Sequence, residues 1–374
     1  MHAESIVEKP RVNIIFTGMA LFSMFFGAGN LIFPLLVGHS AGGGTPYALL
    51  GLSISAVIFP FLGLISMMLS FGDLSVFLKR IGKYPAFILL FILQITQGPL
   101  GCMPRLITLM HASVKVYLPS LSLLLFSLLI SGVIFILTFR PNKIVSILGI
   151  VLTPVLLLTL ATLVCVGMIN APASLPSLKS STDCFMEGFK GGYQTMDLIL
   201  ALLFSTVIIP HLFQEARGLS AREAKLYVRK KMIMASMIAA GLLMTAYIGL
   251  CWIASHYYVS AAPEDLLSAI SFKILGPAGG LIAIITIFFA CLTTAISMAT
   301  VFSAYVRKDL CKEKISANTS LIITLLATAG VACLGFAGIM RLLSPILEIL
   351  YPGLILLCLY NIFDRFYLSK RNAY

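Results

Sequence analysis

Phe25-Phe26-Gly27-Ala28-Gly29-Asn30-Leu31-Ile32-Phe33-Pro34 lies in the middle of an apolar run from about Val12 to Val37. The run is long enough to cross a bilayer. An uninterrupted spanning helix would hold Leu, Ile and Val at this depth. Here Gly27, Gly29 and Asn30 occupy it, with Pro34 one turn later. Glycine weakens a helix interior by about 1 kcal/mol, and proline removes a donor and clashes with the preceding turn. Broken backbone inside a membrane survives only where protein buries it or where it lines a watery cavity. The stretch therefore predicts an unwound segment over Gly27–Asn30 around which the protein is built. A close helix contact through small residues is the competing reading, but packing needs neither Asn30 nor Pro34.

Composition agrees with a membrane setting. Of 374 residues 59% are hydrophobic and 11% charged, with a mean hydropathy of +1.03. A soluble domain carries about 25% charge. The polar N-terminal dozen followed by a long apolar run reads as a retained span and not as a cleaved signal peptide. None of the eight Cys shows metal-ligand spacing; six sit in apolar runs as small packing residues, and Cys184 stands alone in a polar loop.

Ten runs reach spanning length: 12–38, 46–70, 84–110, 118–138, 143–168, 187–209, 232–255, 276–304, 316–338 and 342–362. The +12 net charge on its own suits an acidic partner or nucleic acid, but its distribution points to topology. Twenty of the 26 basic residues fall on alternate connections, from Lys9 and Arg11 through the six between Arg217 and Lys231 to Arg365, Lys370 and Arg371. By the positive-inside rule both termini are cytoplasmic, an even number of spans agrees, and no nucleic-acid role is implied. The stretch His211–Lys231 is either an interfacial basic helix or a solvated connector. The stretch Ser255–Lys273, with its Pro263-Glu264-Asp265 helix start, is either an outer lid or an amphipathic connector.

A second interruption, Gly191-Gly192-Tyr193-Gln194-Thr195-Met196-Asp197, falls in span six. Breaks in spans one and six predict two five-span halves of opposite orientation, residues 12–168 and 187–362, joined by an external linker at 169–186. Cytoplasmic tails cover 1–11 and 363–374. Paired interrupted spans mark a transport site at the interface of inverted repeats. In span one, N–H groups freed near Ala28 and Gly29 suit a carboxylate, and Gly27 lets the substrate approach. Carbonyls freed near Ser23 and Phe26 suit a cation, and the Asn30 amide oxygen offers one more hard ligand. Span six adds Tyr193, Thr195 and Met196 on the substrate side. Asp197 is a functional candidate because ionisable groups in a span are expensive; it serves as a cation or amine partner, or as a hydrogen-bonding strut for the unwound backbone. In span eight, Thr293 and Thr294 point about 100° apart. With the Ala290 carbonyl they form oxygen ligands of the type an alkali cation prefers, although such threonines also bond their own preceding turn. Arg105, beside Pro99 and Pro104 in a kinked span three, and Glu348 in span ten read as structural or gating residues, with Arg105 placed at the outer mouth.

There is no nucleophile–base pair, HExxH, phosphate loop or carboxylate dyad, so an enzyme is excluded and no cofactor is expected. A channel would need a polar stripe along a helix, which is lacking. Phe25–Pro34, Gly98–Arg105 (GPLGCMPR), Phe185–Phe204 (FMEGFKGGYQTMDLILALLF), Ala290–Ala295 (ACLTTA) and Pro345–Pro352 (PILEILYP) together resemble the bacterial branched-chain amino acid:cation symporter family. That family falls within the amino acid–polyamine–organocation superfamily, and the resemblance covers nearly the whole chain.

The resemblance implies an all-α polytopic membrane protein of about ten spans. Its fold would be the five-plus-five inverted repeat of leucine-transporter-like proteins, with helices 1 and 6 broken. It implies sodium-coupled uptake of leucine, isoleucine and valine across the bacterial cytoplasmic (inner) membrane. On that pattern Ala28 and Gly29 contact substrate. Ser23, Phe26, Ala290, Thr293 and Thr294 hold sodium, and Asn30 belongs to a second cation position. Coupling to protons, or exchange of other apolar amino acids such as methionine, is the alternative within the class; a channel or sensor is the alternative outside it. Family members commonly have twelve spans where this sequence carries ten; the ten-span core is the transport unit of that fold, so transport is expected. Oligomeric state is not legible.

Overall fold

A computed structural model describes residues 14–138 and 153–371, with side chains through residue 364. The first ten residues of the predicted fifth span (143–152), the basic pair Arg140 and Lys143, and the N-terminal tail lie outside the described residues. Every regular element among the described residues is helical. The chain runs through α1 (Ile14–Phe25), α2 (Ala28–Ala41), α3 (Thr45–Ser53) and α4 (Phe59–Leu69), with a π-helical turn at Ile54–Ile58 joining the last two. A short α5 (Leu74–Leu78), capped by Asp73 through the Ser75 N–H at 2.8 Å, leads to α6 (Lys83–Gln97) and α7 (Cys102–Lys115). There follow α8 (Leu123–Thr138), α9 (Thr153–Ile169), α10 (Ser181–Thr195), α11 (Asp197–Glu215) and α12 (Ala221–His256). The chain continues with α13 (Leu266–Leu275), α14 (Pro277–Tyr305), α15 (Ala317–Ala332) and α16 (Gly335–Arg371).

Among the described residues, six helical stretches are long and apolar enough to cross a membrane, by length and composition: Ala28–Leu69, Lys83–Lys115, Ser181–Glu215, Ala221–His256, Pro277–Leu310 and Gly335–Asp364. Four shorter apolar helices, α1, α8, α9 and α15, stand among them. The outer surface carries large apolar side chains: Ile136 is 72% exposed, Ile349 81% and Leu356 67%. Water would penalise that surface at about 25 cal/mol per Å², whereas hydrocarbon does not. The arrangement is that of a polytopic membrane protein.

Three interruptions shape the centre. In helix one the break is only Phe26–Gly27. It is shorter than the predicted Gly27–Asn30, because Asn30 caps the new helix by folding its amide oxygen back onto the Gly27 N–H at 3.2 Å. In helix six the break is one residue, Met196, held in the left-handed region at φ 67°. Gly191 and Gly192 remain helical within α10. In span three the sequence predicts a kink, but the helix is interrupted outright over Gly98–Gly101 between α6 and α7. Pro104 fits inside the first turn of α7, where a missing N–H costs nothing.

Glycine spacing on α10 serves packing instead. A Cβ on Gly188 would meet the Ala48 carbonyl at 1.8 Å, one on Gly192 the Ser55 hydroxyl at 1.9 Å, and one on Gly51 the Phe185 carbonyl at 2.1 Å. Helices α3 and α10 thus touch main chain to main chain, the close approach that small residues permit between spanning helices. Cys184 is buried in this contact zone rather than free in a loop.

On the basic side, α12 has 36 residues and is about 54 Å long, well beyond a hydrocarbon core of about 30 Å. Its first turns carry the charges from Arg222 to Lys231 as a continuation of the span, started by the Ser220–Glu223 capping box. No separate interfacial helix forms. Lys231, 3% exposed, donates to Glu215 of α11 at 2.5 Å and to Tyr227 at 3.3 Å. Lys231→Met is expected to cost about 2 kcal/mol, somewhat less than the loss from a fully buried pair, because Glu215 keeps His211 at 3.4 Å. The drop in detergent melting midpoint checks this. On the opposite side α13 forms as an amphipathic helix, burying Leu266, Leu267 and Ile270 with α14, α2 and α9 as neighbours.

Candidate functional site

The breaks in helices one and six face each other. A Cβ on Gly29 would lie 2.9 Å from Thr195 Cα and 3.0 Å from its carbonyl oxygen, so only glycine lets α2 start against the end of α10. Among the described residues, the N–H groups of Ala28 and Gly29 take no backbone acceptor across the break. They are two of the donors that any helix start leaves over. Gly27 packs beneath them, with the positions a Cβ would take 3.0 Å from Thr294 Oγ1 and 3.2 Å from a Leu106 methyl. Thr195 turns its hydroxyl back to the Gly192 carbonyl at 2.8 Å. Tyr193 packs against Tyr351 with ring centroids 4.7 Å apart and planes tilted by 32°.

Asp197, the first residue of α11, is fully buried. Its two carboxylate oxygens accept from Asn30 Nδ2 at 2.9 and 2.7 Å, and Oδ2 also accepts from the Tyr247 hydroxyl at 2.9 Å. Asn30 donates to Tyr247 as well. One carboxylate at a positive helix start thus fastens α2, α11 and α12 together. The Asn30 amide oxygen, predicted as a ligand of a second cation, accepts the Gly27 N–H in this arrangement.

Below the break, α14 meets the end of α1 through oxygens. Thr293 Oγ1 lies 3.0 Å from the Ser23 carbonyl and 2.9 Å from that of Ala290. Thr294 Oγ1 lies 3.5 Å from the Ser23 carbonyl and 3.4 Å from that of Met24. The Ser23 hydroxyl is buried with no partner among the described residues. Two threonine hydrogens serve three carbonyls, and among the described residues no backbone N–H from across the break reaches the Ser23 or Met24 carbonyl. A cluster with more oxygens than hydrogens, one hydroxyl being orphaned, fits a hard monovalent cation. Phe26, predicted in this set, donates its N–H to Phe22 at 2.8 Å, and among the described residues its carbonyl meets neither threonine. Met24 stands in its place.

The third break adds polar groups on the other side of Met196. Gln97 at the end of α6 donates Nε2 to the Met196 carbonyl at 3.0 Å. Arg105 in α7 donates to Met196 Sδ at 3.2 Å and to the Gln194 carbonyl at 3.1 Å. Arg105 is 2% exposed, under the Phe33 ring at 5.1 Å, so it does not snorkel to the outer mouth. Above it a cleft of about 450 Å³ opens between α2 and α10, lined by Phe33, Val37, Asp183, Glu187, Lys190 and Gln194 among others. Glu348 lies apart from all of this, exposed on α16.

Over residues 10–374 the chain matches the family described as "Branched-chain amino acid transport protein". The chain belongs to that family. It is a family of transporters and not of enzymes. The chain is 29% identical over 379 residues to the branched-chain amino acid permease BraB of Bacillus subtilis (strain 168), covering 98% of this chain and 83% of that protein. It is likewise 29% identical over 381 residues to the permease BrnQ of the same organism, covering 96% and 83%. A putative branched-chain amino acid carrier protein of Staphylococcus haemolyticus is 29% identical over 383 residues, covering 96% and 84%.

Within this member of the branched-chain amino acid transport protein family, four site residues escaped the sequence reading. Tyr247 sits alone in an apolar run, where phenol and packing ring look alike. Gln97 carried a signal, an amide directly before Gly98-Pro99 in a spanning run. Met24 and Gln194 act through carbonyls, which every residue type has.

Proposed function

We propose that this transporter carries leucine, isoleucine and valine into the cell by sodium-coupled symport, working by alternating access. The observation that supports it best is the oxygen cluster of Ser23, Met24, Ala290, Thr293 and Thr294 directly below the free N–H groups of Ala28 and Gly29. The five oxygens would hold a sodium ion and tie α1 to α14. With that tie made, Ala28 and Gly29 present their N–H groups to the substrate carboxylate. The branched side chain packs among apolar residues of spans three, six and eight, Leu106 and Met196 included. The charge distribution supports ten spans with both termini cytoplasmic, and membership of a bacterial permease family supports the cytoplasmic membrane. The two inverted halves, 12–168 and 187–362, are supported by the matching breaks. They are also supported by short connecting helices, α5 and α13, at equivalent places in each half. One charge crossing 100 mV is worth about 2.3 kcal/mol, which drives roughly 50-fold accumulation before the ion gradient is counted.

Uptake of leucine by the full chain in liposomes, with sodium replaced by choline, tests the coupling. Uptake should collapse; undiminished uptake overturns sodium symport. Thr294→Ala, which removes one hydroxyl from the cluster, is expected to raise the sodium concentration for half-maximal uptake by about tenfold while the protein still folds.

Proton coupling is the second reading, favoured by the buried carboxylate of Asp197 with neutral donors on both oxygens. It predicts leucine-driven alkalinisation of the medium in choline buffer.

A further inference from the structure

Arg105 is a buried cation that forms no ion pair with any of the described residues. Of its five N–H donors, one meets a thioether, one meets the Gln194 carbonyl, and Nε is buried with no partner among the described residues. The rings of Phe33 and Phe336 flank the guanidinium at 5.1 and 5.9 Å. Among the described residues no carboxylate forms an ion pair with it, and Asp197 is already engaged by Asn30 and Tyr247. A thioether and one carbonyl are poor compensation for a charge removed from water. Such a group is kept where something else supplies the opposite charge.

Its place says what that is. The Gln194 carbonyl that accepts from Arg105 also lies 3.3 Å from where a Cβ on Gly29 would stand. Leu106, the next residue, packs on Gly27. The guanidinium therefore stands over the break at which the Ala28 and Gly29 N–H groups end. Nε–H and an Nη2–H project side by side in one plane, a fork that matches the two oxygens of a carboxylate. We propose that Arg105 binds the carboxylate of the transported amino acid, Nε taking one oxygen while the helix start at Ala28 and Gly29 holds the other. The proposal rests on the transport reading above and narrows it: the free carboxylate is required by a side chain of span three, and amides and alcohols of the same skeleton are rejected there.

The test is binding to the purified full-length protein in nanodiscs, measured with L-leucine and with L-leucinamide, in which a neutral amide replaces the carboxylate. Wild type should prefer leucine. Arg105→Gln should weaken leucine binding by about 10- to 100-fold, the range for losing a hydrogen bond to a charged group, and leave leucinamide within twofold, so that the preference disappears. Arg105→Lys keeps the charge but not the fork; it should recover part of the leucine affinity, and it serves as the variant of record if Arg105→Gln does not fold. Equal weakening of both ligands, or of neither, in the folded variant overturns the assignment and leaves Arg105 as a strut between α7 and the helix-six break. Failure of wild type to bind leucine at all overturns the transport reading instead.

Discussion

Gly29→Val is expected to reduce leucine uptake to below about 1% of wild type, since displacing a binding group by an ångström costs about 100-fold. The added Cβ would lie 2.9 Å from Thr195 Cα and 3.0 Å from the Thr195 oxygen, both main-chain atoms of the helix-six break. Neither can swing aside as a side chain would. The two breaks must separate, taking the Ala28 and Gly29 N–H groups out of register with the groups opposite. Gly241→Ala is the control, because a Cβ there meets nothing within 4 Å; it should transport like wild type. Equal membrane abundance of both variants, checked by immunoblot, keeps the comparison to transport. Wild-type uptake by Gly29→Val would remove the contact between the breaks from the mechanism.

Asp197→Ala is the second large effect. It leaves Asn30 Nδ2 and the Tyr247 hydroxyl buried without the acceptor they share. Each stranded donor costs about 1–3 kcal/mol, so the variant should lose about 3–5 kcal/mol, with a lowered detergent melting midpoint and no uptake. Asp197→Asn should fall between, since its oxygen still accepts one bond while its NH2 faces that of Asn30. Tyr247→Phe removes one donor and leaves the carboxylate with Asn30, so it should cost less than Asp197→Ala. A melting midpoint unchanged in Asp197→Ala would falsify the role of this carboxylate as the fastening of α2, α11 and α12.

The broken first helix was readable because its residue types are wrong for a span; glycine, asparagine and proline each carry a known cost there. Its extent was not. Whether Asn30 unwinds or caps depends on what stands across from it, and Asp197 is 167 residues away in sequence. The second break misleads more. Gly191 and Gly192 advertise weak helix, yet tertiary contact keeps Gly192 helical against Ser55, while the left-handed residue is Met196. A methionine gives no warning of positive φ; its conformation is held from outside, by Gln97 on its carbonyl and Arg105 on its sulfur. The threonines of α14 were legible as hydroxyls side by side, but the carbonyls they meet were only half so. Phe26 was expected and Met24 is found, since the main chain's direction at a break cannot be read from residue types.

The glycine contacts between α3 and α10 also have a mechanical meaning. Where two helices touch through their backbones there are no side-chain rotamers to absorb a sliding movement, and any shift of a few tenths of an ångström meets hard repulsion at Gly51 and Gly188 together. On the alternating-access proposal, α3 and α10 would therefore travel as one piece, like welded rods. The seam between α1 and α14, closed by threonine hydroxyls at 2.9 to 3.5 Å, has no such weld. On that proposal opening and closing would be divided between these surfaces accordingly: the welded pair would carry the load, and the hydroxyl seam would part and rejoin.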